Sequence, residues 1–119
     1  MPKINFDKFK VLTFDCYGTL IDWENGILTA IRPVLKKHNI EVDNEQILSL
    51  YAKVESKAEK GKYIKYKDAL RKAMKEISKK FGFTPSAKES ECLVNSLKNW
   101  KPFPDTVAAL QKLKKKFRL

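Results

Sequence analysis

Two cysteines, four glycines, five prolines, one histidine and three arginines in 119 residues set the first limits on this sequence. Cys16 and Cys92 are too few for a disulfide framework, so reduced thiols and a cytoplasmic location are the expectation. The low Gly and Pro content excludes collagen-like, Pro/Gly-rich and mucin-like chains. No apolar run approaches the ~20 residues that cross a bilayer. The start, Met1-Pro2-Lys3-Ile4-Asn5-Phe6, lacks the apolar core of a signal peptide. No membrane partner is expected. His38 stands alone, so it offers no metal cluster and reads as a solvated or capping side chain near a helix end.

The chain is 43% hydrophobic and 33% charged, the composition of one globular domain, with too many Phe, Ile, Leu and Val for wholesale disorder. Its formal charge of +11 is uneven. The first sixty residues hold nine basic and nine acidic side chains, and the remainder sixteen and five. Nearly all the basic residues are lysine, a strongly hydrated point charge suited to solvated helix faces, whereas arginine reads phosphates and bases bidentately. A solvated basic surface is therefore favoured and nucleic acid disfavoured as a partner.

Along the chain, Lys10-Val11-Leu12-Thr13-Phe14 reads as a buried strand that ends in a polar, Gly-containing loop. Residues 25–38 read as a helix with Ile27, Leu28, Ile31, Val34 and Leu35 on one stripe, which Pro33 should kink or restart. Asp43 with Gln46 forms a capping box opening a second helix, which Gly61 ends. A third helix spans about 67–81, with Ala69, Leu70, Ala73, Met74 and Ile77 inward and Gly82 as its stop. Ser86 with Glu89 opens a fourth that carries Cys92, Leu93 and Leu97 to Trp100. After Pro102-Phe103-Pro104, Asp105 or Thr106 caps a fifth, with Val107, Leu110 and Leu113 on its apolar face and a solvated run, Lys112 to Lys116, at its end. Tyr51, Tyr63 and Tyr66 read as packing residues, one of which could line a cleft. A lone apolar strand needs neighbours on its edges. A new apolar stretch opens at Phe117-Arg118-Leu119, so the chain reads as cut at the mouth of a second strand.

The loop Asp15-Cys16-Tyr17-Gly18-Thr19 carries the chemistry. A carboxylate at the C-terminal end of a parallel strand lies where open α/β sheets bind ligands. Gly18 allows a tight backbone turn, and Thr19 adds a hydroxyl. Such a carboxylate can act as a nucleophile through an ester intermediate, or it can simply cap the turn after the strand.

Phe14-Asp15-Cys16-Tyr17-Gly18-Thr19-Leu20-Ile21-Asp22-Trp23-Glu24 resembles the first motif of the haloacid dehalogenase (HAD) superfamily, in the type II 2-haloacid dehalogenase-like subfamily. Leu50-Tyr51-Ala52-Lys53-Val54-Glu55 and Gly61-Lys62-Tyr63-Ile64-Lys65-Tyr66 are similar to that family's helical cap, and Trp100-Lys101-Pro102-Phe103-Pro104-Asp105 to its return linker. The resemblance covers nearly the whole chain from about Ile4. It implies an α/β class: a HAD-like (Rossmann-like) core fragment, residues 1–20 and 101–119, with an α-helical cap, 21–100, the chain being mostly α with one or two strands.

By that resemblance Asp15 is the catalytic nucleophile, and Thr19 holds its carboxylate. Cys16, Tyr17 and Gly18 are the substrate-binding residues beside them, although Cys16 also reads as a small packing residue. The implied activity is hydrolysis of the dehalogenase type on a small-molecule acid. No cofactor is implied. Mg²⁺ would be needed only by a phosphatase-like member, and those carry an acid two residues after the nucleophile, where this chain has Tyr17. Asp22 reads as a helix-start residue.

Two departures bear on activity. The cap arginine that holds the substrate carboxylate in dehalogenases would fall near Leu50, where no cation stands, leaving Lys53 or Arg32 as substitutes. The family's later motifs, a second-strand Ser/Thr-Asn, a lysine and an acidic pair, are not in these 119 residues, so Asp15 lacks most of its charge partners. The chain is expected to be inactive alone, unless a complementing chain or a homo-oligomer pairs the strand. The alternative is a non-catalytic basic helical module that binds an acidic partner or nucleic acid.

Overall fold

The computed structural model describes residues 2–119. The chain divides into two compact units: Glu24–Trp100, and the N-terminal segment up to Trp23 together with Lys101–Leu119.

The larger unit is helical. It comprises α1 (Trp23–Lys37, which begins at the boundary), α2 (Asn44–Glu59), α3 (Tyr66–Phe81), α4 (Ala87–Ser90) and α5 (Cys92–Ser96), followed by a 3₁₀ turn at Leu97–Asn99. α3 is central and packs against α2, α4 and α5. The reason lies in its sequence. Ala69, Leu70, Ala73, Met74 and Ile77 recur at helical spacing and are fully buried, while the lysines between them stay in water. Ile27, Ile31, Val34 and Leu35 of α1, Ile47 and Tyr51 of α2, and Leu93 of α5 complete the core.

Both capping boxes form. The Gln46 N–H donates to Asp43 Oδ1 at 2.8 Å, and the Asp43 N–H to Gln46 Oε1 at 3.0 Å. The Glu89 N–H donates to Ser86 Oγ at 3.1 Å, and the Ser86 N–H to Glu89 Oε1 at 2.9 Å. Gly82, at φ +78°, ends α3: its N–H donates to the Lys79 carbonyl and that of Phe83 to the Ser78 carbonyl. Asn39, at φ +57°, closes α1 the same way, with Ile40 N–H donating to Leu35 O at 2.9 Å. That stop is invisible to a search for glycine.

Four expectations for this unit change. α1 runs unbroken from Trp23 to Lys37 through Pro33, because burying Ile31, Val34 and Leu35 outweighs one lost backbone hydrogen bond. The single helix expected from Ser86 to Trp100 is three short pieces. Glu91 leaves helical geometry (φ −97°, ψ 3°), and the Ser90 and Ser96 hydroxyls bond the carbonyls of Ser86 and Leu93. His38, expected to be solvated or capping, is half-buried: its Nε2 lies 3.1 Å from both Glu89 carboxylate oxygens, and its ring stacks on Phe83 at 4.4 Å. Tyr51 packs in the core, but Tyr63 is 90% exposed in the loop between α2 and α3.

The smaller unit holds a 3₁₀ turn (Phe6–Lys8), an extended segment over 10–14, the loop that follows it, and α6 (Thr106–Lys114). The extended segment makes one parallel bridge, Val11 to Arg118, through Leu12 N–H to Arg118 O (2.9 Å) and Arg118 N–H to Lys10 O (2.8 Å). Neither the expected strand at 10–14 nor the apolar stretch at Phe117 forms a strand among the described residues: this single isolated bridge is all that joins them. The expected burial of the first segment does not occur: Val11 and Phe14 are exposed, because one bridge and one short helix cannot cover two faces. For the same reason the apolar face of α6 is partly bare, with Val107 53% exposed. Lys116 pairs with Asp7, and Phe117 is buried.

Candidate active site

The loop after the extended segment turns about one backbone atom. The Cys16 carbonyl accepts from the N–H groups of Thr19 (3.1 Å), Leu20 (2.7 Å) and Ile21 (3.0 Å). Gly18 N–H donates to Ile21 O at 2.9 Å, closing the Tyr17–Ile21 bridge. Gly18 sits at φ +90°, and a side chain there would also meet Trp23 Nε1 at 3.2 Å. The left-handed backbone favours glycine here, and a side chain would also crowd the Trp23 ring.

This turn brings position 19 back over position 15. Thr19 Oγ1 donates to Asp15 Oδ2 at 2.8 Å, and both residues are exposed. A hydroxyl that fixes one carboxylate oxygen orients the other. The resulting group is an exposed, oriented carboxylate four residues beyond the parallel bridge at Val11.

The return segment anchors the loop. Asp22 N–H donates to Lys101 O at 2.8 Å beside the antiparallel Ile21–Pro102 bridge. Leu20 O accepts from Phe103 N–H at 3.2 Å and from Thr106 Oγ1 at 2.9 Å. Thr106 is therefore not the side-chain cap of α6; its buried hydroxyl is spent on the loop, and Asp105 starts the helix without a side-chain cap bond.

Of the five sequence-derived site residues, Asp15 and Thr19 meet through their side chains. Cys16, Tyr17 and Gly18 lie in the same exposed turn. The packing role for Cys16 fails: its carbonyl organises the loop and the residue itself is exposed. Cys92, by contrast, is partly buried against Met74, and burial pushes its thiol up to about 11. Arg32 and Lys53 belong to the helical unit, where Arg32 donates to the Val42 carbonyl and to Asn44 Oδ1. Among the described residues no group of three His, Cys, Asp or Glu is placed to hold a metal. Sequence reasoning missed the Cys16 and Leu20 carbonyls and the Thr106 hydroxyl; backbone acceptors leave no sequence signal, and a Thr after Asp imitates a helix cap.

A family model described as haloacid dehalogenase-like hydrolase matches residues 9–119. The chain belongs to the haloacid dehalogenase-like hydrolases. Among solved structures, it is similar to the defluorinating L-2-haloacid dehalogenase Rha0230, with a TM-score of 0.78 and 21% identity over 92% of this chain. It spans 48% of that protein's length. No curated protein matches the sequence. A mostly helical chain with isolated bridges in place of strands is consistent with a fragment of an α/β HAD-like fold.

Proposed function

We propose that this haloacid dehalogenase-like chain carries the nucleophile of a dehalogenase-type hydrolase acting on a small 2-halo acid. The carrying observation is the 2.8 Å bond from Thr19 to Asp15, which orients an exposed carboxylate in the loop after the Val11 bridge. In the proposed reaction, Asp15 Oδ1 attacks C2 of the acid from the side opposite the halogen. Halide leaves with the bonding pair, and an ester joins C2 to Asp15. Water then attacks the ester carbonyl, releasing the 2-hydroxy acid and a proton and restoring the carboxylate. Thr19 holds the attacking group throughout. Phosphoryl transfer is the weaker reading. The residues present do not fit Mg²⁺, because the loop offers the Asp15 carboxylate while a phenol, Tyr17, occupies the position two residues on.

Among the described residues no lysine is ion-paired with Asp15, so we expect the ester to form slowly and then persist. With 2-bromopropionate, the expected result is a bromide release of at most about one equivalent, lost in Asp15→Asn and kept in Cys16→Ser, with no continuing turnover. Release that persists in Asp15→Asn would contradict the nucleophile. Sustained turnover by the 119-residue chain would contradict its inactivity alone.

A further inference from the structure

The helical unit carries a feature that the hydrolase reading does not use. Between α2 and α3 lies a groove of about 310 Å³ lined by half-buried Val54 and Ala58 and by exposed Lys57, Lys72 and Lys75. Glu76 is the one carboxylate in the lining. The three lysines are exposed, and none of them is in an ion pair among the described residues. The contrast with Arg71, one residue before Lys72, is informative: Arg71 is held by both Asp68 and Glu91. The groove thus keeps an excess of two positive charges beside apolar surface, with Lys57 from the neutral first sixty residues and Lys72, Lys75 and Glu76 from the basic remainder.

We infer that this groove is a docking site for an acidic amphipathic peptide segment. Two antiparallel helices joined by a short loop leave a channel into which a third helical segment lays its apolar side chains. Val54 and Ala58 receive those side chains, while Asp or Glu residues flanking them meet Lys57, Lys72 and Lys75. The cations are lysines, which satisfy separate carboxylates from flexible stems; the groove has no arginine for bidentate phosphate contact. Nucleic acid would use the lysines and stack on the exposed Tyr63, but would leave the apolar lining unused. The inference is independent of Asp15.

Fluorescence anisotropy tests it, titrating the full chain into a labelled Glu/Leu amphipathic peptide at near-physiological salt. A single-stranded oligonucleotide of equal charge serves as the second probe. The groove predicts saturable peptide binding that the triple variant Lys57→Glu, Lys72→Glu, Lys75→Glu weakens by about tenfold or more. The same reversal on α6, at Lys112, Lys114 and Lys115, should change it by less than about twofold. Ala58→Gln fills the groove without changing charge and should weaken binding too; circular dichroism checks that each variant is folded. Equal losses from both triples would reduce the effect to bulk charge and overturn the groove. Tighter binding of the oligonucleotide, or no peptide binding, would overturn it as well.

Discussion

At the scale of single residues, close contact and burial override simple propensity. Gly26 lies inside α1, where alanine would ordinarily gain about 1 kcal/mol of helix stability. A Cβ at that position would stand 2.6 Å from the Trp100 ring, whose Nε1 is fixed by a 2.8 Å bond to Ser96. Gly26→Ala is therefore expected to destabilise the protein by about 1–3 kcal/mol in urea unfolding, against its propensity. Glu55 illustrates burial. Desolvation raises its carboxyl above the ordinary range, a shift the adjacent Tyr51 hydroxyl partly opposes. The folded state thus favours protonated Glu55 more than the unfolded state does, and keeping it ionised at neutral pH costs stability. Glu55→Gln should raise the denaturation midpoint at neutral pH, with the difference fading as the pH falls to about 4. A variant no more stable at neutral pH would show that the site does not penalise charge.

At the scale of elements, the caps decide what the short helices can be. α4 has four residues, too few to persist by propensity, and Ser86 and Glu89 supply its start. The Glu89 carboxylate also accepts from His38, and these bonds, that from Ser86 foremost, hold it below its ordinary range. Ser86→Ala should cost about 1 kcal/mol and loosen the His38 ring, read as a changed His38 imidazole resonance by NMR. The boxes at Asp43 and Ser86 and the stop at Gly82 were legible in the sequence because each is a local exchange between residues a few positions apart. The stripe on α3 was legible because burial on one face enforces helical spacing. What escaped the sequence depends on distant partners: Glu89 for His38, Leu20 for Thr106, and the core packing that carries α1 through Pro33. The loop was half legible. Asp15 and Thr19 stood out by spacing and by resemblance, whereas the carbonyls that fold the loop belong to the backbone and could not.

At the scale of the whole molecule, the apolar residues divide unequally. Among the described residues, Phe117 is the only buried apolar side chain outside the helical unit, and Tyr63 the only large exposed one within it. Glu24–Trp100 should therefore fold when expressed alone, with helical circular dichroism and cooperative unfolding. Loss of that cooperativity would mean that its core borrows from the other unit. The buried strand expected from the sequence was misjudged for the same reason: composition shows that Val11 and Phe14 suit a sheet interior, but not whether anything covers them.

Asp15 is the proposed donor of the oxygen that bonds to carbon. The direct measurement is peptide mapping by mass spectrometry after a single exposure to 2-bromopropionate. The loop geometry predicts one dominant carboxylate ester, on Asp15, its yield lowered by Thr19→Val, which removes the orienting hydroxyl. Ester spread evenly over the exposed carboxylates, with Asp15 no more reactive than Asp7 or Asp105, would contradict it.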